Sequence, residues 1–238
     1  MCMIHTATPS HKTRAKTIFE TWASRCDGLL FFTNSPMEPE IPHVYWSHLG
    51  TRDHSWEKIR RVFQHAVEKE RPYDWYLRAD DDAYVIVENL RSFLSNYSPK
   101  AKHFFGYRWN FFVPRGFVDG AAYILSRPAA EAFHDVMKDP TRCPEHHRAE
   151  EDQEMAKCLA AVGIFPEDSR DENGSDRFHH FHPLEHLDMF SDAFARRFAY
   201  YPPLRGEENF SPEMVSFHHV SPYEMRLLDF ILYAAKPS

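Results

Sequence analysis

The chain has 238 residues, of which 43% are hydrophobic and 15% aromatic, enough to bury one large core and unlike a disordered segment. Its formal net charge of -7 argues against a general nucleic-acid surface, so an anionic ligand needs local positive help. No uninterrupted apolar run reaches the roughly 20 residues that span a bilayer, and the start "MCMIHTATPS" lacks a basic stretch followed by an apolar one, which leaves a soluble protein or the globular piece of a longer, anchored chain.

In chain order, "MCMIHT" predicts a short strand, and Lys12 to Cys26 then places Ala15, Ile18, Trp22 and Cys26 at helical spacing. The strand "LLFFT", the proline-punctuated "SPMEPEIPH" and a short strand at Val44 to Trp46 follow. A second helix carries Trp56, Ile59, Phe63, Ala66 and Val67 on one face, and "WYLRA" is a strand that ends on Asp80, Asp81 and Asp82, with a helix beginning near Ala83. Beyond it come strands at "HFFGY" and "AAYILS", a helix from Pro128 to about Lys138, and another through "AEEDQEMAKCLAAVG". After Gly163 the chain turns polar, His-rich and aromatic, before the strand "MVSFHHV" and a last amphipathic helix from Tyr223. Such alternation predicts an α/β domain with a largely parallel sheet, whose ligands sit at the carboxyl ends of strands. No internal repeat or low-complexity linker marks a domain boundary.

The acidic triplet therefore falls where α/β proteins keep their chemistry. One aspartate could cap the following helix, but three adjacent negative charges repel one another unless a cation offsets them. Asp80 and Asp82, separated by one residue, can meet a hard divalent ion and leave positions open for the oxygens of a diphosphate. The spacing lacks the mid-loop glycine of a calcium-binding EF-hand, and neither a G-x-x-x-x-G-K-[ST] nor a G-x-G-x-x-G loop is present. Glu150, Glu151, Asp152 and Glu154 open a helix, where they either complement its dipole or supply a general base. In "VSFHHV", strand alternation sends His218 and His219 to opposite faces, so that one of them can be a third ligand to a metal such as Mn²⁺. The "FHHFHPLEH" cluster lacks the regular ligand spacing of a zinc site.

The four cysteines, Cys2, Cys26, Cys143 and Cys158, form two sequence-local groups, compatible with two disulfides in any of three connectivities or with buried thiols. Sequons at Asn96, Asn173 and Asn209 favour a secretory lumen.

Taken in order, "TWASRC", "RADDDAYVIVENLR", "EEDQEMAKC", "DSRD", "FHPLEHL", "YYPP" and "VSFHHV" resemble the core 1 β1,3-galactosyltransferases (T-synthases) of glycosyltransferase family 31, over nearly the whole chain. The resemblance implies a GT-A fold, a Rossmann-like mixed sheet flanked by helices, as one domain over 1–238. Its nucleotide-sugar half would be about 1–110 and its acceptor half about 111–238. It implies inverting transfer of galactose from UDP-galactose to the 3-hydroxyl of GalNAc on Ser or Thr. Asp80 and Asp82, with Asp81 beside them, would hold Mn²⁺ against the diphosphate, His218 would complete the metal site, and Asp152 of the Glu151-Asp152 pair would be the base. Arg52, Lys58 and Arg78 are nucleotide contacts by position, although Arg78, adjacent to the triplet, could simply neutralise it. The family pairing implies Cys2–Cys26 and Cys143–Cys158 bridges, and the histidines of "FHPLEH" then need no zinc. Trp109, Asp119, Glu151 and Tyr201 are the acceptor-side candidates.

Expected partners are a UDP-sugar donor and a glycoprotein or glycopeptide acceptor, with no nucleic acid, and a homodimer is admissible. The expected location is the Golgi lumen or another secretory compartment, as a type II membrane protein whose anchor lies outside this chain. The sequence also departs from the pattern. "VDGAAYILS" has Asp119 and fewer glycines than the family's Gly-Gly-Ala-Gly-Tyr stretch, "FARRFAYYPP" has Arg196 and Arg197 in place of a Trp-rich run, and no vicinal cysteine pair adjoins "GEENFSPEM". Two other readings stand beside this one: a fringe-like transferase using UDP-GlcNAc, and a non-catalytic chaperone resembling T-synthase, against which the intact "DDD" and "ED" speak.

Overall fold

A computed structural model describes residues 1–50, 52–146 and 149–236. Cys2–His5 (β1) leads through Lys16–Glu20 (α1) to Leu29–Thr33 (β2) and His43–Tyr45 (β3). Ser55–Glu68 (α2) precedes Trp75–Asp80 (β4), the two-residue strand Tyr84–Val85 (β5) and Val87–Leu94 (α3). Phe104–Trp109 (β6) and Phe117–Ser126 (β7) come before Arg127–Val136 (α4) and Glu151–Ala160 (α5). The chain finishes through Pro183–Leu187 (α6), Ala193–Phe198 (α7), Ser216–Phe217 (β8) and Pro222–Tyr233 (α8).

Six strands form one sheet in the order β3-β2-β1-β4-β7-β6, and β5 pairs with β8 in a small second sheet. The first four are mutually parallel, whereas β7 runs antiparallel to both β4 and β6. The sheet is therefore mixed, and the reversal at β7 has a geometric consequence. The carboxyl ends of β1, β4 and β6 and the beginning of β7 share one edge, with His5 beside Asp80 and Trp109 beside Phe117 in register. Gly116 (φ +74) makes the close turn into β7, where a Cβ would collide with the Trp109 carbonyl.

Apolar side chains bury the sheet on both faces, as near-continuous hydrophobic strands require. Phe63 of α2 stacks on Tyr123 of β7 and meets Phe133 of α4 edge-on, with ring centroids 6.4 and 5.3 Å apart, and one hydrophobic cluster runs from Met3 to Met225. Both disulfides expected from the resemblance are present, Cys2–Cys26 and Cys143–Cys158. Among the described residues no helix is long and apolar enough to cross a membrane.

Three expectations change. The helix from Lys12 to Cys26 is broken into a π-turn at His11–Ala15, α1, and a 3-10 turn at Trp22–Arg25, because Thr21 leaves helical dihedrals (φ -117, ψ -116) while its hydroxyl donates to the Thr17 carbonyl. The spacing still identified the buried side chains, since Ala15, Ile18 and Trp22 are fully enclosed. No helix begins at Ala83; β5 pairs there with β8, α3 starts at Val87, and none of the three aspartates is a cap. Asn209, one of the three sequons that together favoured a secretory lumen, is 1% exposed and donates its amide to the His186, Leu204 and Gly206 carbonyls, so it is a structural residue and leaves that signal to the other two.

Candidate active site

The shared sheet edge is the floor of a cleft of about 650 Å³, within the usual size for a small-molecule site. Asp80, Asp81 and Asp82 line it from the end of β4, Lys58 from α2 and Arg52 from the turn before it, Asp119 and Gly120 from β7, Glu151 and Asp152 from the start of α5, and His180, His218 and His219 from the loops around β8.

The three aspartates point to different partners. Asp81 accepts from the Thr6 hydroxyl (2.6 Å) and is pushed up by burial, that hydrogen bond opposing. Asp80 Oδ1 lies 2.8 Å from Arg78 Nη2; burial opposes ionisation, but the guanidinium brings this carboxyl down to about 2. Asp82 Oδ1 is 3.0 Å from His218 Nε2, and Asp80 Oδ2 is 3.9 Å from the same nitrogen. His218 Nδ1 donates to the His180 carbonyl (2.9 Å), which leaves Nε2 as the nitrogen facing the carboxylates. Against the cost of burial, the Asp82 hydrogen bond and the negative charge of Asp119, Asp80 and Asp82 push His218 up to about 9. A site that holds a proton so firmly between two carboxylates suits a cation. The ligand atoms of Asp80, Asp82 and His218 lie within 4.8 Å of one another, and two oxygens plus one imidazole fit a divalent metal of the Mn²⁺ type.

The positive help sits beside this group. Lys58, 3% exposed, donates to the Thr6 carbonyl and is lowered to about 8 by burial and the Arg78 charge. Arg14 reaches Asp81 (3.4 Å) and Asp82 (3.5 Å) from the other side.

Arg78 joins the aspartates to the second acidic group. Its Nη2 is 2.8 Å from both Asp80 Oδ1 and Glu151 Oε1, and despite burial these two carboxylates hold it protonated. Glu151 also accepts from the Tyr123 hydroxyl (3.2 Å). One guanidinium serves several carboxyls, so burial, opposed by Arg78 and assisted by Asp152, pushes Glu151 up to about 8. The half-buried Asp152 accepts from the Gly120 N–H (3.2 Å) and the Gln153 N–H (2.8 Å), and burial with the nearby Asp119 charge raises it to about 7. A carboxyl poised near neutrality in a cleft is a candidate general base.

The far wall is aromatic, made by Trp109, Phe111, Phe117 and Phe194. Asp119 adjoins it, accepting from the Trp109 indole N–H (2.9 Å), and is held well below the usual carboxylate range by His180 in spite of its burial. Every candidate from the sequence lines the cleft except Glu154, which pairs with Lys157 (2.8 Å), and Tyr201, whose ring lies against the Arg170 guanidinium, 3.5 Å from its centroid, and whose hydroxyl accepts from Arg108. His218 and His219 are not on opposite faces. β8 ends at Phe217, His219 turns the chain with φ +56, and both imidazoles line the cleft with centroids 4.1 Å apart. Sequence reasoning missed His5, Thr6, Arg14 and His180; His5 ends β1, the strand beside β4, and Thr6 follows it, a position that the parallel-sheet pattern could have flagged.

Residues 1–192 match the Fringe-like family. The chain belongs to that family. Glycoprotein-N-acetylgalactosamine 3-beta-galactosyltransferase 1 of Xenopus laevis is 33% identical to this Fringe-like chain over 242 aligned positions, covering 98% of the chain and 66% of the Xenopus protein, so the chain spans a little under two thirds of that relative. Two solved structures are similar to the chain over nearly its whole length. A galactosyltransferase, LgtC, with donor and acceptor sugar analogues, is 11% identical with a TM-score of 0.49, covering 99% of this chain and 97% of that one. A glycosyltransferase acting in glycosylation of the major capsid of PBCV-1 is 14% identical with a TM-score of 0.49, covering 95% and 98%. Likenesses this loose carry no argument about the site.

Proposed function

We propose that this Fringe-like protein is the catalytic domain of an inverting β1,3-galactosyltransferase of GT-A fold, acting from UDP-galactose on the 3-hydroxyl of GalNAc linked to Ser or Thr. One observation carries the reading: Asp152, oriented by the Gly120 and Gln153 N–H groups and raised to about 7, lines the same cleft as the Asp80–Asp82–His218 group. Inversion needs one base and one electrophilic site for the departing diphosphate, and no covalent nucleophile.

Asp80, Asp82 and His218 would hold a divalent cation, Mn²⁺ in this reading, which would supply positive charge against the diphosphate. Lys58 and Arg52 add cationic contacts for the nucleotide, which draws its half of the site from residues up to about 110. Asp152, steered by the Gly120 and Gln153 N–H groups, takes the proton from the acceptor hydroxyl. The acceptor oxygen then attacks the anomeric carbon from the side opposite the diphosphate, the carbon–oxygen bond to the diphosphate breaks, and the configuration inverts. Arg78 and Tyr123 hold Glu151 and so fix the start of α5, while the Trp109 wall, in the half after about residue 111, offers an apolar face to the acceptor sugar. The two disulfides and the exposed sequons at Asn96 and Asn173 support a secretory compartment, the Golgi lumen in this reading.

The alternative reading is a fringe-like transferase that uses UDP-GlcNAc as its donor. Transfer to a GalNAc-Thr peptide is therefore assayed with UDP-galactose and UDP-GlcNAc in parallel, with Mn²⁺ and with EDTA. Metal-dependent galactosyl product is expected. A preference for UDP-GlcNAc replaces the donor, and an absence of Mn²⁺-dependent UDP binding by calorimetry removes the enzymatic reading in favour of a chaperone.

A further inference from the structure

Asp119 takes no part in the chemistry above, yet it is only 6% exposed and fully engaged. Its Oδ1 accepts from the Ala121 N–H (2.8 Å), its Oδ2 accepts from the Trp109 indole N–H (2.9 Å), and His180 Nδ1 lies 2.5 Å from the same Oδ2. A buried carboxylate with partners on both oxygens is confined to one rotamer, and the groups that touch it inherit its position. His180 passes the constraint on, because its main-chain oxygen accepts from His218 Nδ1. That bond decides which nitrogen of His218 faces Asp82. On its other side, Asp119 anchors the indole of Trp109, which meets His180 and Phe194 edge-on at 4.8 and 5.4 Å between centroids.

We infer that Asp119 is a positioning residue, which ties the cation-binding imidazole of His218 to the aromatic wall of the cleft through His180 and Trp109. The inference rests on the proposed cation-assisted transfer. Asp119, His180 and His218 also bring their ligand atoms within 4.8 Å of one another, and the inference places the ion on Asp80, Asp82 and His218 with Asp119 one step outside it. Outer partners of a metal-bound imidazole are worth roughly 10- to 100-fold in metal affinity, because they fix its tautomer and its ring plane. Here the outer partner is a backbone carbonyl, and the carboxylate acts one step further out by holding the residue that owns that carbonyl. The wall and the ion site are then set by one side chain, so a change at Asp119 disturbs both together.

Mn²⁺ binding to the intact, disulfide-bonded chain, measured by electron paramagnetic resonance in the presence of UDP, tests this. The variants are Asp119→Asn, His180→Ala, His180→Asn and the double variant Asp119→Asn/His180→Ala. Asp119→Asn turns an amide N–H or a weaker acceptor toward His180, and Mn²⁺ affinity is expected to fall about tenfold. His180→Ala should match it. His180→Asn, whose amide N–H can replace that of the imidazole, should bind within about twofold of the parent. Because both substitutions break one chain of contacts, the double variant should be no weaker than the singles. Near-UV circular dichroism separates loss of fold from loss of position, and if Asp119→Asn fails to fold, the two His180 variants decide alone. Parent-like Mn²⁺ affinity in Asp119→Asn or His180→Ala, or losses that add fully in the double variant, overturns the inference and leaves the transferase reading standing. No Mn²⁺ binding by the parent chain overturns both.

Discussion

Replacing Asp152 with asparagine should make the protein a far worse catalyst and, at alkaline pH, a more stable one. Loss of a general base lowers turnover by a factor on the order of 10² to 10⁴. The stability effect follows from the raised proton affinity of this carboxyl, about 7 in the folded chain against 3.8 for a free aspartate. Below pH 3.8 both states bind the proton and the group is neutral in its effect; as pH rises through the interval the unfolded chain ionises first, so wild-type stability falls until pH passes about 7. Between pH 5 and pH 8 this linkage amounts to about 2.6 kcal/mol for a fully buried carboxyl, and to about 1 kcal/mol once the solvent contact of this half-buried one is discounted. An amide keeps the Gln153 hydrogen bond and forfeits the longer one from Gly120, a fixed cost that cancels when the two pH values are compared. Urea denaturation of metal-free Asp152→Asn and wild type at pH 5 and pH 8 measures the difference. A variant-to-wild-type gap that is the same at both pH values refutes the account of the Asp152 environment, and unchanged turnover removes it as the base.

Other perturbations act on other parts of the cleft. Arg78→Met leaves the buried Glu151 and the partly exposed Asp80 without their shared cation and should cost about 3 kcal/mol; a loss under about 1 kcal/mol by urea denaturation would show the group to be solvated instead. His218→Ala should weaken Mn²⁺ by at least about tenfold with the circular dichroism spectrum intact, and binding at wild-type strength would place the ion elsewhere. Opening the Cys143–Cys158 bridge with a double serine variant releases a loop of sequence separation 15 and should cost about 3 kcal/mol, read as a lowered denaturation midpoint; an unchanged midpoint means that packing alone holds the start of α5.

Much of this site could be read from the sequence, and the reasons for success and failure differ by residue. The triplet Asp80 to Asp82 stood out because charge cannot accumulate at a strand end without a partner, an argument that needs only local sequence. Asp152 was singled out by the family resemblance, since spacing alone left Glu150, Glu151, Asp152 and Glu154 open, and Lys58 entered by position once that resemblance was stated. Apart from the local break at Thr21 and the residues at the end of β1, the misses are long-range. β5 exists because Tyr84 and Val85 pair with Phe217 and Ser216, and no local periodicity reports a partner so distant. That pairing displaced the predicted helix start, and the early end of β8 let both His218 and His219 turn into the cleft. His180 sat in a cluster weighed only for zinc, and its link to Asp119 joins a strand to a loop that no spacing rule relates.

The two cross-links close loops of sequence separation 24 and 15, while the strand pair beneath the cleft joins Cys2 to Leu77 and the small sheet joins Tyr84 to Phe217. Loop-closure entropy favours the short connections first, so oxidation can be complete while the distant pairings are still unmade. A fully oxidised molecule is then not proof of a finished one. Thiol titration during refolding should plateau before nucleotide binding appears, and a cell that inspects only exposed thiols would pass chains whose cleft does not yet exist. For such a chain, occupancy by its own donor is the more stringent inspection, since the cleft needs both ends of the polypeptide in place.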